Sequence, residues 1–220
     1  MKKFLSLSFK FVVITCALLG ILVVGLGSKE AFMGGGSVFM FFTVQSNILI
    51  SLVDIALIII MYCKKTPNRF MHVLKYVSTV AISLTGIVFC FALAPTMGKF
   101  AWNFPNILLH VVVPAFAIFD FFFRAEEYKT RKFDSVFALI PPLAYVIFAS
   151  VGYVLNWEFM PGTNYPYFFL NWGSEAGAFG FSSNLPFIGC AYWIIILGAA
   201  IYGIASLYLY FVKVCKKNKK

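Results

Sequence analysis

The chain has 220 residues, of which 61% are hydrophobic, 19% aromatic and only 12% charged. A water-soluble domain carries about twice that share of charge, so the composition excludes one and points to a membrane protein. The net charge of +10 comes from basic residues spread over several loops rather than gathered on one folded face, which argues against a nucleic-acid partner.

Six segments reach the length of about 20 apolar residues that crosses a bilayer. They predict an all-α polytopic bundle in a single domain, with spans over 9–28, 38–62, 73–97, 105–123, 134–155 and 187–212. Lys2 and Lys3 before the first apolar run imitate a secretory signal. No small-x-small cleavage site follows and five further spans come after, so this run reads as the first helix. Sixteen of the 18 Lys and Arg fall in the N-terminal flank, the second and fourth connections and the tail; only Lys29 and Lys99 lie in the other connections. The positive-inside rule then predicts cytoplasmic N- and C-termini in the plasma membrane, with the Lys-rich tail near anionic headgroups.

The second span holds four hydrogen-bonding side chains in five positions, Thr43, Gln45, Ser46 and Asn47. Lipid tails satisfy none of them, so they must face protein, water or substrate. At 100° per residue Asn47 and Asp54 lie within about 40° of Thr43, Ser46 and Ser51 flank that stripe, and Gln45 points elsewhere. Thr43 has two readings: a hydroxyl bonded back to a carbonyl one turn earlier, as is common in membrane helices, or a reactive group. Asp54 is the costliest residue in the spans. It needs Lys75 snorkelling towards it, or a bound proton, or it is an ion site.

The fourth span carries His110, the only histidine within the apolar runs. Thr43 and His110 each fall about 8 Å below the end from which their helices enter, so they are expected to be level. Pro114 lacks an N–H and is expected to strip the His110 carbonyl of its donor and kink the helix there; Pro95, Pro141 and Pro142 act alike on their own helices. Asp120 and Arg124, at i,i+4, read as a surface ion pair, and His72 as a solvated loop residue. Cys16, Cys63, Cys90, Cys190 and Cys215 have no paired spacing and read as apolar fillers, so neither disulfides, a metal nor a cofactor is expected. The connection from Asn156 to Pro186 has no Lys or Arg and many aromatics. It reads either as an interfacial aromatic belt or as a lid over a lipid-accessible pocket.

Three motifs carry a resemblance: Phe42-Thr43-Val44-Gln45-Ser46-Asn47, Leu109-His110 followed by Pro114, and Tyr165-Pro166-Tyr167-Phe168-Phe169-Leu170. In this order, on six spans, the chain resembles the androgen-induced protein and androgen-dependent TFPI-regulating protein family and its bacterial relatives. The eukaryotic members are integral-membrane hydrolases of fatty-acyl esters, and the resemblance carries over reaction type ahead of substrate identity. The resemblance implies Thr43 as nucleophile and His110 as base, with a lipid substrate and the bilayer as partners. It departs from the pattern at Asn171, where relatives often carry an acid. Asn47, Gln45, Ser46, Asn106, Tyr165 and Tyr167 are the expected substrate or oxyanion contacts, and Asn47 or Asn106 the groups that orient the imidazole. The reading from another class is a small transporter or lipid-binding protein using Asp54 as its ion site.

Overall fold

The computed structural model describes residues 2–27, 35–129 and 131–217. Lys29, expected on the less basic side, lies outside them. Six helices are long and apolar enough to cross a membrane: α1 (Lys2–Gly25), α2 (Phe42–Tyr62), α3 (Arg69–Trp102), α4 (Phe104–Phe123), α5 (Asp134–Val154) and α6 (Cys190–Lys217). Among the described residues there is no strand, only two isolated bridges in the α5–α6 connection. Large apolar side chains such as Leu18, Phe91, Ile147 and Ile195 cover the outside of the bundle. Water would make such a surface aggregate, whereas lipid solvates it.

Both chain ends lie at one end of the bundle. Lys2 Nζ stands 5.9 Å from the centre of the Phe123 ring at the close of α4, and Lys216 donates to the Tyr128 carbonyl just beyond it. This is the terminus end; the opposite end, carrying the long α5–α6 connection, is the lid end.

The helices α1 to α4 pack pairwise into a tight group, α1 against α2 and α4, and α3 against α2 and α4. A buried ionic cluster at the terminus end ties all four. Lys10 Nζ bonds both Asp120 oxygens, at 2.8 and 2.6 Å, and the Ser6 hydroxyl at 2.9 Å, while Ser6 donates to Asp120 Oδ1 at 2.6 Å. Lys75 Nζ lies 2.6 Å from Asp54 Oδ1 and 3.0 Å from Asp120 Oδ2. Every member is at most 1% exposed. Two carboxylates and two ammoniums make the cluster neutral, which is the condition under which buried charge is tolerated in a low-dielectric core.

This cluster corrects three expectations. Asp120 is no surface partner of Arg124: Arg124 bonds Glu127 instead. Lys10 and Lys75, counted by sequence among the basic flank, are core residues. Lys75 does meet Asp54, but inside the bundle rather than by snorkelling from its edge. His72, expected in solvent, is buried in the first turn of α3 and meets the Tyr128 ring edge-on at 5.4 Å.

The helices α5 and α6 join this group along their length, and at the lid end the Tyr145 hydroxyl of α5 donates to the Met40 carbonyl at 3.1 Å. Arg69 clasps Asp134 with Nη2–Oδ1 at 2.6 Å, Tyr76 donates to the Ala205 carbonyl at 2.7 Å, and the Ser83 and Tyr208 hydroxyls meet at 2.9 Å. From each other the two helices diverge: Ile140–Val154 makes almost no backbone contact with α6.

Removing one member of a buried charge pair strands the other at a cost of about 3–5 kcal/mol, while removing both leaves only a packing change. Lys75→Met should therefore lower the thermal unfolding midpoint in detergent sharply, and Lys75→Met with Asp54→Leu should recover most of the loss. Equal midpoints for wild type and both variants would mean that the cluster does not stabilise the bundle.

Candidate functional site

Thr43 sits in the first turn of α2, higher than expected. The helix opens at Phe42 rather than Val38, because Gly35–Met40 forms a separate 3-10 turn. A helix start leaves its first backbone N–H groups without intrahelical partners. That of Thr43 points to the Tyr167 hydroxyl, 3.4 Å away, in the α5–α6 connection.

His110 lies on a π-turn of α4, Leu108–Val112, whose origin is legible in the backbone. The Val113 N–H reaches five residues back to the Leu108 carbonyl, and Pro114 has no N–H. The Leu109 carbonyl thus loses both donors it could have had along the helix. Asn47 on α2 supplies the missing one, its Nδ2 lying 3.2 Å from Leu109 O and 2.7 Å from Thr43 O. The proline effect expected at the His110 carbonyl therefore falls one residue earlier. A matching π-turn precedes Pro95 in α3, at Phe89–Leu93.

Two glycines let neighbouring helices close on this turn. A Cβ on Gly86 of α3 would come within 2.9 Å of the His110 carbonyl oxygen, and one on Gly20 of α1 within 2.7 Å of the Leu109 side chain. Three helices thus hold residues 109–110 in place, and Phe89 stacks on the imidazole with ring centres 3.9 Å apart.

The result is contact between the two residues singled out by sequence. Thr43 Oγ1 lies 3.2 Å from His110 Nε2, and both side chains are buried. The other ring nitrogen, Nδ1, is 3.1 Å from the Asn106 carbonyl oxygen. A carbonyl only accepts, so Nδ1 carries the proton and donates. In a neutral imidazole Nε2 is then the acceptor, and the Thr43 hydroxyl donates to it. Among the described residues no carboxylate bonds the ring; a backbone carbonyl fills that position.

The remaining expected contacts divide. Tyr167 is at the site. Asn47 is beside it, but both amide hydrogens are engaged by carbonyls, so it braces α2 against α4 rather than offering a free donor. Asn106 orients the ring through its backbone oxygen; its side chain bonds the Ala101 carbonyl at 2.9 Å instead. Ser46 bonds Thr43 O at 3.0 Å and the Thr85 hydroxyl at 2.7 Å, linking α2 to α3. Gln45 turns away to the Phe39 carbonyl at 3.2 Å. Tyr165 is half-buried and does not border Thr43. Asp54, eleven residues along α2, is about 16 Å down the helix axis and outside the site.

Beside Thr43 opens a narrow apolar slot of about 80 Å³. Its back wall is α3, through Leu84, Thr85 and Val88, and its roof is Tyr167, Phe169 and Leu170 of the connection. The connection therefore folds over the lid end, with Phe159, Tyr167, Phe169 and Leu170 buried against Phe41, Val44 and Phe89. One side wall is Leu139, Pro142, Leu143 and Val146 of α5. The other is Ile194, Leu197, Gly198 and Ile201 of α6. No charged side chain borders it.

Tyr167 is the polar group that sequence could not rank above Tyr165. Burial pushes its phenol above the ordinary value, so the hydroxyl keeps its proton at neutral pH. Comparison with family models, with curated proteins and with solved structures finds no match for the chain.

If Asn47 braces the turn, Asn47→Leu leaves the buried Leu109 carbonyl without a donor, a cost of about 1–3 kcal/mol. The expected readout is a lower unfolding midpoint in detergent. A midpoint equal to that of the wild type would remove the brace from the account.

Proposed function

We propose that this is a multi-pass hydrolase of the plasma membrane, with cytoplasmic termini, that cleaves lipid esters with Thr43 as nucleophile and His110 as base. One observation carries the reading. The Thr43 hydroxyl donates to an imidazole nitrogen whose partner nitrogen is pinned by a carbonyl, an arrangement in which the ring can only receive the hydroxyl proton. A threonine hydroxyl is a weak nucleophile until a neighbouring base takes its proton. The apolar slot at Thr43, among helices that cross the bilayer, favours an ester carried by a lipid. The basic residues outside the core, concentrated at the terminus end, favour the orientation with the site towards the outer face.

In this mechanism Thr43 Oγ attacks the ester carbonyl carbon as His110 Nε2 takes the hydroxyl proton. The carbonyl π electrons move to oxygen, giving an oxyanion beside one donor, the Tyr167 hydroxyl, which itself accepts from the Thr43 backbone N–H at the positive end of α2. Collapse of the intermediate expels the alcohol, whose oxygen takes the proton from Nε2, and leaves an acyl group on Thr43. Water then attacks that acyl group as His110 accepts its proton, the acyl–Oγ bond breaks to release the fatty acid, and Nε2 returns the proton to the Thr43 oxygen. Burial keeps the phenol protonated, so Tyr167 remains a donor throughout.

The ion-site alternative rests on Asp54 Oδ2, which is buried without a hydrogen-bond partner among the described residues, and meets an occupied neighbour at Oδ1. The Lys75 ammonium already occupies its Oδ1, where a coupling cation would bind.

Purified protein should label with a fluorophosphonate probe and hydrolyse members of a lipid-ester panel; Thr43→Ala should do neither, and His110→Gln should lose about 10²–10⁴-fold in rate. Persistent labelling of Thr43→Ala, with no ester cleaved by wild type across the panel, would overturn the reading. Tyr167→Phe should cost about 10²-fold in kcat with little change in KM, because its donor acts on the oxyanion alone. Activity should fall in acid as the imidazole takes up a proton. It should not fall on the alkaline side below about pH 10, the ordinary phenol value, since Tyr167 titrates above it. A rate unchanged by acid would exclude His110 as base.

A further inference from the structure

We infer that the slot between α5 and α6 binds one straight acyl chain of the substrate, that the chain enters sideways from the lipid between these helices, and that Gly198 keeps the slot open to long chains. The inference rests on Thr43 being the nucleophile and deepens that reading.

The first argument is the spacing of the two side walls. On α5 four of the five lining positions follow i, i+3, i+4 and i+7, Tyr145 being the fifth, and on α6 all four repeat that pattern. Such a stripe is the face by which one helix packs on another. Here the two stripes face each other across the slot: α6 meets the start of α5, Asp134–Phe137, but makes almost no backbone contact with Ile140–Val154. Several lining side chains, among them Leu143, Leu197 and Ile194, stay partly exposed. Apolar side chains exposed on the flank of a membrane bundle face lipid, so the gap between α5 and α6 communicates with the acyl region.

The second argument is polarity. The hydroxyls of Thr43, Tyr145 and Tyr167 gather at the lid end of the slot, and the walls below are apolar apart from Thr85, whose hydroxyl is already bonded to Ser46. A molecule that fits has one polar group at one end of a chain, with the polar group at Thr43. A headgroup with charge or several hydroxyls finds no partners further in, and a second protein helix is too wide for the space. Seven residues of helix span about 10 Å, the reach of roughly eight methylenes with C–C bonds of about 1.5 Å.

Gly198 supplies the third argument. It lines the slot midway along the α6 stripe, and a Cβ there would meet nothing within 4 Å. No backbone or packing constraint thus requires glycine at this position. A larger side chain would fold without strain and occupy the path of the chain.

The test uses the full protein in phosphatidylcholine vesicles, with para-nitrophenyl esters of short, medium and long acyl chains. Gly198→Leu and Gly198→Phe should lower kcat/KM for long chains at least about tenfold more than for short ones, as a blocked apolar pocket discriminates by chain length. Leu143→Trp, which narrows the slot from α5, should act in the same sense and guards against a folding defect at Gly198. Equal effects on all chain lengths in these variants would overturn the inference. A second readout needs no hydrolysis: a long-chain alcohol with a distal diazirine should photolabel α5 and α6 peptides of Thr43→Ala protein, and Gly198→Phe in that background should abolish the labelling. Esterase activity without slot labelling defeats the slot alone. Slot labelling without esterase activity in wild type defeats the hydrolase reading and with it the inference, but leaves a chain-binding slot.

Discussion

The buried cluster of Lys10, Asp54, Lys75 and Asp120 is the constraint on which the rest of the structure depends. Four charges in a membrane core are tolerable only when each is paired, and here each ammonium or carboxylate reaches its partner on a different helix. The cluster therefore behaves as a registry device: sliding any of α1 to α4 by one turn, about 5.4 Å, would break at least one pair. With the terminus ends locked, the lid ends of α2 and α4 have little freedom left, and Thr43 meets His110 there. The terminus end sets the register, and the lid end depends on it.

The same constraint explains why the other two helices behave differently. Neither α5 nor α6 contributes to the cluster. They are attached by Arg69–Asp134 and Tyr76–Ala205 towards the terminus end, by Ser83–Tyr208 midway and by Tyr145–Met40 at the lid end, each to the four-helix group, while Ile140–Val154 makes almost no backbone contact with α6. The bundle thus divides into a four-helix half, tied by the cluster, that brings Thr43 to His110, and a pair of helices that leaves a slot beside them. The aromatic connection roofs the junction, and Tyr167 belongs to both: its ring lines the slot and its hydroxyl faces the start of α2.

Much of this was legible in the sequence, for identifiable reasons. Hydropathy marks the spans because a bilayer demands long apolar runs, and a polar stripe on such a run marks α2 because lipid cannot satisfy it. Counting residues from the helix ends put Thr43 and His110 level, an argument that survived the later start of α2 because both side chains reach across the gap. What failed was the assignment of charges. Lys10 stands close behind Lys2 and Lys3, and nothing in the order of residues distinguishes a flanking lysine from one that turns inward. Asp120 and Arg124 have the spacing of a helix pair, yet Asp120 faces the core while Arg124 finds Glu127. The π-turn escaped for a related reason: Pro114 announces a broken hydrogen bond, but which carbonyl loses its donor depends on whether the preceding N–H bonds four or five residues back. Asn106 was the right residue with the wrong atom, since side-chain reasoning cannot weigh a main-chain oxygen against an amide.

A carbonyl in the place of an acid has its own electrostatic logic. A carboxylate beside His110 would stabilise the imidazolium formed during attack, but when the ring is neutral it would be an unpaired charge in an apolar core. The Asn106 carbonyl imposes no such penalty and still fixes the tautomer, because an oxygen that only accepts compels Nδ1 to donate. The cost falls on the charged intermediate, which gains less from a dipole than from a full negative charge. The proposed oxyanion partly offsets that deficit, since it forms beside the imidazolium as the proton moves and the pair is neutral as a whole. Within the core shared by α1 to α4, charge is held permanently where four ions cancel at the terminus end, and the proposed reaction would add it transiently with both signs created at once.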